Sequence, residues 1–193
     1  MADIVLPNLQ AYCKRHGYEY RFVCFPEPCE SDFGFRKLTG ILDLFNEGFD
    51  VVVSFDLDLL ITNHNYKIEQ FLTDEHDFFI CKDYNGINAG SFIVRNSGWL
   101  VGFLDWLLRC RGIDKIHCEQ DAIAYYMRLF PNDEKIKILP HPSINSYLYE
   151  NYPDIPQQTH ERGQWQPTDF ILHLPGLGME TRLDIMKKTP IIL

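Results

Sequence analysis

The chain has 193 residues, 46% hydrophobic and 23% charged, which suits one α/β domain with a sizeable core and argues against disorder. Eighteen Lys and Arg face twenty-seven Asp and Glu, a formal net charge of -9, so nucleic acid and anionic membranes are poor partners. A phosphorylated ligand on so acidic a chain calls for a bridging divalent cation. No apolar run reaches the roughly 18 residues of a membrane span and no signal peptide is legible, so a soluble, cytoplasmic domain is expected.

Residues 2–16 carry Ile4, Val5, Leu9, Tyr12 and Cys13 at near-helical spacing, and Gly17 supplies a stop, which predicts a helix. YEYRFVCF (18–25) alternates like a strand and ends at Pro26 and Pro28. A helix is expected over 35–45, with Leu38, Ile41, Leu42 and Phe45 on one face. The β-branched run VVVSF (51–55) reads as a buried parallel strand, and 78–81 and 91–94 as short strands around the turn-rich DYNGINAG. Two further helices are predicted over 98–110, with the stripe Trp99, Phe103, Trp106, Leu107 and Cys110 facing the core, and over 119–130. Strands are expected at 136–139 and 170–174. Between them, 140–168 holds five of the eleven prolines and no clear period, which marks a functional segment. The six cysteines at 13, 24, 29, 81, 110 and 118 lack metal-site spacing and read as reduced thiols. The alternation of strands and helices predicts a mostly parallel sheet with helices on both faces, forming a single domain over 1–193.

Asp56-Leu57-Asp58 sits where VVVSF ends. On a strand, residues i and i+2 point to one side, and ligands of open α/β sheets bind beyond the carboxyl ends of the strands. Two carboxylates converging there repel unless a cation lies between them, and Mg²⁺ or Mn²⁺ is the natural occupant. Two enzyme classes place such a pair there. A haloacid-dehalogenase-like phosphatase would use Asp56 as nucleophile, although Leu60 and the absence of its later motifs depart from that pattern. A metal-dependent glycosyltransferase of the GT-A fold would use the pair to hold the metal that neutralises a leaving nucleoside diphosphate.

The pieces NLQAYCKRHGYEY, RKLTGIL, VVVSFDLDLLITN, NGINAGSFIVRNSGW, EQDAI and FILHLPG, in that order, resemble the glycosyltransferase 34 family of galactosyl-, xylosyl- and mannosyltransferases. The resemblance covers most of residues 8 to 178. A small enzyme of this kind also resembles those that large DNA viruses encode for capsid glycans, which would put it in the cytoplasm of an infected host cell. It implies an α/β GT-A fold and transfer of a hexose from a nucleotide diphosphate sugar, UDP-hexose favoured, to a glycan or glycoprotein hydroxyl. Retention of anomeric configuration is implied as well.

By that resemblance Asp56, Asp58 and His173 hold Mn²⁺ (or Mg²⁺). Asp83, Asn88, Ala89 and Gly90 line the donor sugar, with Asp56, Lys37 and Gly176 also on the donor. Arg182 is the cation for the diphosphate, with Lys187 and Lys188 behind it. Gln120, with Glu119 or Asp121, stabilises the oxocarbenium-like transition state. Tyr147, Tyr149, Tyr152 and Trp165 are expected to form an acceptor wall or lid, since rings stack on sugar faces. GT-A domains normally begin with a strand before the first helix. None is legible here, so an N-terminal strand is either missing or replaced by another base pocket. The anchor and stem of Golgi members are also not seen. A non-catalytic module binding a nucleotide sugar or a glycan is the third reading.

Overall fold

The computed structural model describes residues 1–23, 33–152 and 163–193. Helix α1 spans Ala2–His16 and ends where Gly17 takes φ 73°, its N–H bonded to the Cys13 carbonyl. Helix α2 (Phe33–Asn46) leads into strand β1 (Val51–Phe55), and β2 (Leu59–Ile61) follows within four residues. Strands β3 (Phe78–Asp83) and β4 (Gly86–Arg95) form a hairpin, after which come α3 (Gly98–Arg109) and α4 (Glu119–Leu129). The chain closes with β5 (Ile136–Leu139), β6 (Ser146–Tyr147), β7 (Ile171–His173) and α5 (Met179–Lys188).

Two sheets result. The larger has the order β1-β4-β3-β5, and β4 runs antiparallel to both of its neighbours while β3 and β5 are parallel. Strands β1, β3 and β5 therefore point the same way with β4 reversed between them. The sheet is mostly parallel in direction but mixed in pairing. The run VVVSF does not lie against a parallel neighbour: its paired edge meets β4, with Val52 opposite Val94. Burial of both faces, not strand direction, is what an unbroken apolar run encodes. The hairpin turn explains β4, because Gly86 supplies φ 117° and Asp83 caps the Asn85 N–H at 2.7 Å.

Helices do not cover both faces alone. One face packs on α2, α3 and α4 through Leu38, Ile41, Phe92, Phe103, Leu107 and Ile123. The other meets the smaller sheet, β2-β7-β6, where Phe79, Ile93 and Leu139 pack on Leu59, Ile61, Phe170 and Ile171. Behind the smaller sheet, Val5 of α1 and Met186 of α5 close a third cluster with Leu60, Leu172 and Trp165.

The strand expected over 18–25 is absent from 18–23, which run as irregular chain, and 24–25 lie outside the described residues, as do Cys24 and Cys29. The expected wall of aromatic rings is also different: Tyr147 and Tyr149 are buried inside the protein and Trp165 is nearly so. Their faces pack on protein, with short 3₁₀ turns at His141–Ser143 and Tyr149–Asn151 folding the segment inward. Among the described residues, no helix is long and apolar enough to cross a membrane.

Candidate active site

The carboxylates of Asp56 and Asp58 part company. Residues 56–58 form a turn between β1 and β2, not a strand, so the two-residue period that would aim both side chains at one point is broken. Asp56 turns toward α2, where Lys37 Nζ lies 2.6 Å from its Oδ1. Lys37 also reaches Glu119 Oε1 at 2.9 Å and the Ala89 carbonyl at 2.9 Å. Burial pulls this ammonium down, and the carboxylates of Asp56 and Glu119 outweigh it, holding Lys37 above its ordinary pKa. Gly34 makes this contact possible, since a Cβ there would overlap the Glu119 carboxylate.

Asp58 turns the other way. Its Oδ1 lies 3.3 Å from His173 Nε2 on β7, and its Oδ2 lies 2.8 Å from the Arg182 guanidinium on α5. Burial pushes the Asp58 carboxyl up, but His173 and Arg182 together hold it below the ordinary carboxylate value. The backbone fixes this meeting, because the Leu174 N–H donates to the Asp58 carbonyl and Arg182 Nε donates to the Leu174 carbonyl at 2.9 Å. Gly90 of β4 lets the imidazole in: a Cβ there would stand 2.3 Å from His173 Cε1.

A second cluster adjoins the first. Asp83 Oδ2 accepts from Asn88 Nδ2 at 3.0 Å and from the Tyr147 hydroxyl at 2.7 Å. Asn88 Oδ1 in turn accepts from the Gly90 N–H. The Ala89 N–H donates to Gln120 Oε1 at 2.9 Å. The N-terminus of α4 thus delivers Glu119 and Gln120 to the site, whereas Asp121 turns back to accept from the His117 N–H at 2.9 Å. Gly176 sits exposed in the turn after β7 at φ 70°. Lys187 and Lys188 are surface residues in the last turn of α5, and Lys188 pairs with Asp184. A groove of about 800 Å³ opens beside Asp56 and Lys37 and runs between α1 and α2 along β1.

The donor set bears on the expected metal. Among the described residues, no three His, Cys, Asp or Glu side chains gather into a ready cation cage. Asp58 and His173 nonetheless fit as two neighbouring ligands. Adjacent positions on an octahedral ion with bonds of 2.0–2.1 Å lie about 3 Å apart. Asp56 would have to exchange Lys37 for the ion to join them. Two cations, Lys37 and Arg182, face three carboxylates here, Asp56, Asp58 and Glu119, leaving net negative charge across these ion pairs. Asn145, buried and bonded through Oδ1 to His173 Nδ1 at 2.5 Å, was not legible in the sequence. It lies in a segment without period, and only its burial between other polar residues marks it.

The fold has counterparts. The crystal structure of a glycosyltransferase involved in the glycosylation of the major capsid of PBCV-1 superposes with a TM-score of 0.73 at 18% identity, over 96% of this chain and 91% of that one. The apo structure of mouse xyloside xylosyltransferase 1 matches with a TM-score of 0.50 at 14% identity, over 91% of this chain and 72% of that one. Both likenesses concern the fold, that of GT-A glycosyltransferases. In sequence, the chain is 33% identical over 138 residues to the probable alpha-1,2-galactosyltransferase gmh1 of Schizosaccharomyces pombe, covering 68% of this chain and 38% of that protein. It is 24% identical over 188 residues to the probable alpha-1,6-mannosyltransferase MNN10 of Saccharomyces cerevisiae, covering 75% of this chain and 47% of that protein. The chain thus spans less than half the length of either relative. The model of one family matches residues 54–183, from the strand that precedes Asp56 through Arg182, and with that span the chain belongs to the galactosyl transferase GMA12/MNN10 family.

Proposed function

We propose that this protein transfers a hexose from a nucleotide diphosphate sugar, UDP-hexose first, to a hydroxyl of a glycan or glycoprotein, with retention and with Mn²⁺ or Mg²⁺ as cofactor. The observation that carries the reading is the meeting of Asp58, His173 and Arg182 just past the Asp56 turn, in a chain of glycosyltransferase kinship. Asp58 and His173 would hold the metal, with Asp56 joining when it leaves Lys37. When bound, the metal supplies positive charge against which the diphosphate departs.

The protein's own groups do the rest. Arg182 is a fixed cation beside Asp58, suited to a phosphate oxygen by its planar donors. Lys37 is held by three acceptors, and the donor that Asp56 gives up on joining the metal becomes available to a leaving-group oxygen. Gln120 and Asn88 flank the Ala89–Gly90 backbone, and with Asp83 they offer donors and acceptors for sugar hydroxyls. Glu119 is held on Lys37 and balances charge as the glycosidic bond breaks. The relatives' names specify alpha linkages, the outcome retention gives from an alpha-linked donor. Family membership sets the phosphatase reading aside.

The test is calorimetric titration of UDP and GDP with and without Mn²⁺, followed by turnover with the matching nucleotide hexoses. One nucleotide should bind tightly only with metal present, and Asp58→Asn should reduce its affinity to the metal-free level without changing the melting temperature by more than a few degrees. Equal binding with and without metal, or an unaffected Asp58→Asn, would refute the metal-bridged donor site. Binding without turnover would instead identify a non-catalytic module.

A further inference from the structure

Two backbone N–H groups fix the direction of a chain of hydrogen bonds that ends at His173. The Gly90 N–H donates to Asn88 Oδ1 at 2.9 Å, so the Asn88 amide must present Nδ2 to Asp83 and to the Tyr147 hydroxyl, at 3.0 and 2.8 Å. The Asn85 N–H donates to Asp83 Oδ1, and the other carboxylate oxygen, Oδ2, only accepts. The Tyr147 proton therefore goes to Asp83 at 2.7 Å, and the phenol oxygen is an acceptor to everything else around it. Asn145 Nδ2 lies 3.4 Å from that oxygen, which leaves Asn145 Oδ1 facing His173 Nδ1 at 2.5 Å. An amide oxygen accepts, so Nδ1 must carry the proton. Nε2 faces Asp58 Oδ1 at 3.3 Å and donates to it when both ring nitrogens carry protons. In the neutral ring the lone pair sits on Nε2, ready for a cation beside Asp58.

We propose that Asn145 and Tyr147 are positioning residues that set the tautomer of His173, through the relay Asp83–Tyr147–Asn145–His173, so that Nε2 is presented to a cation beside Asp58. The proposal deepens the metal-dependent reading above and rests on it only for the identity of the cation. Strand β6 makes the relay possible. Its pairing sets Tyr147 opposite His173, and Asn145 and Tyr147, two residues apart, both reach toward the imidazole. The Ser91 hydroxyl, bonded to the Ile144 carbonyl at 2.5 Å, ties the segment to β4. Three of the four side chains of the relay, Tyr147, Asn145 and His173, are buried, so water does not compete for the bonds among them. A ligating imidazole whose second nitrogen is held by a fixed acceptor is the arrangement that orients metal-binding histidines. Here the acceptor's own orientation is dictated from the sugar-side carboxylate, which links the two halves of the site.

The test uses metal-free, ¹⁵N-histidine-labelled protein at pH 8 and long-range ¹H–¹⁵N correlation, with the His173 signals identified by their loss in His173→Gln. The wild-type ring should be protonated at Nδ1. Tyr147→Phe keeps the ring and removes only the hydroxyl, freeing the Asn145 amide to turn. His173 should then populate the Nε2–H form, and Mn²⁺ affinity, read from the free-ion electron paramagnetic resonance signal, should fall about 10- to 100-fold. Asn145→Asp keeps an acceptor at Nδ1 and should retain the wild-type tautomer, whereas Asn145→Leu should lose it. An Nε2–H ring in the wild type overturns the proposal, as does a tautomer unmoved by both Tyr147→Phe and Asn145→Leu. A wild type that holds Nδ1–H, responds to Tyr147→Phe and binds no Mn²⁺ upholds the relay and removes the metal from the proposed function.

Discussion

Single glycines set how closely the site can be drawn together. At Gly90 a methyl group would lie 2.3 Å from His173 Cε1 and 2.8 Å from Nε2, and the ring is buried and tied to Asn145, so it has nowhere to swing. Gly90→Ala should therefore cost about 1–3 kcal/mol of stability through overpacking and lower metal affinity by about tenfold or more. Gly102 is the control. It sits on the exposed side of α3 with no atom within 4 Å of an added Cβ, and Gly102→Ala should stabilise by about 0.5–1 kcal/mol. Urea unfolding of both variants checks the pair, and equal effects would show that the His173 approach does not depend on Gly90. The family resemblance placed Gly90 on the donor sugar, and within the fold it is a place of close approach. The partner is an imidazole from residue 173, a contact that no local pattern encodes. Asp56 and Asp58 were legible as a pair, yet their divergence depends on Lys37 and Arg182, which the chain brings from far upstream and downstream.

At the scale of elements, one amide ties α1 to β2 beside the packing of Val5 on Leu60. Asn8 Oδ1 accepts from the Ile61 N–H at 3.0 Å, so its Nδ2 donates to the Ile61 carbonyl at 2.9 Å and to His64 Nε2 at 3.0 Å. His64 must accept there, and a proton on Nε2 would set two donors face to face. Burial lowers the His64 pKa below its ordinary 6.5, and Arg15 and His16 add to the shift. A depressed histidine binds its proton more readily when unfolded. The stability it supports is thus complete above pH 6.5 and is lost as the pH falls toward and through the folded value. The loss cannot exceed about 1.4 kcal/mol per pH unit for one proton. The urea midpoint should drop more for the wild type than for His64→Gln between pH 7.5 and 5.5, and parallel profiles would sink the assignment. Helices α1 to α4 were legible because each carries its own apolar period or stop. The strand over 18–23 was not realised, since alternation alone supplies no neighbour to pair with. Strand β2 was hidden inside one apolar run with β1, and β6 is too short to show a period.

For the molecule as a whole, the site is split between two layers, and its integrity requires that they fold together. Lys37, Glu119 and Gln120 ride on helices packed against the larger sheet, while His173, Asn145 and Tyr147 belong to the smaller sheet or its margin. The two sheets share one cluster, in which Phe79 and Ile93 of the larger are packed with Ile61, Phe170 and Ile171 of the smaller. With such a shared core, the two sheets are expected to unfold together. The three tryptophans report on opposite sides. Trp99 and Trp106 lie against the α2–α3–α4 cluster, and Trp165 lies behind the smaller sheet with Nε1 bonded to Thr62 at 3.1 Å. Fluorescence of Trp165→Phe follows the first side, and that of the double variant Trp99→Phe/Trp106→Phe follows the second. Added to each, Ile93→Ala opens a cavity between the sheets and should lower stability by about 2–5 kcal/mol at both reporters alike. If the sheets were independent units, the substitution would shift one urea transition more than the other, and His173 could leave Asp58 while the helical layer stayed folded. Coincident shifts mean that the two halves of the site are lost only together.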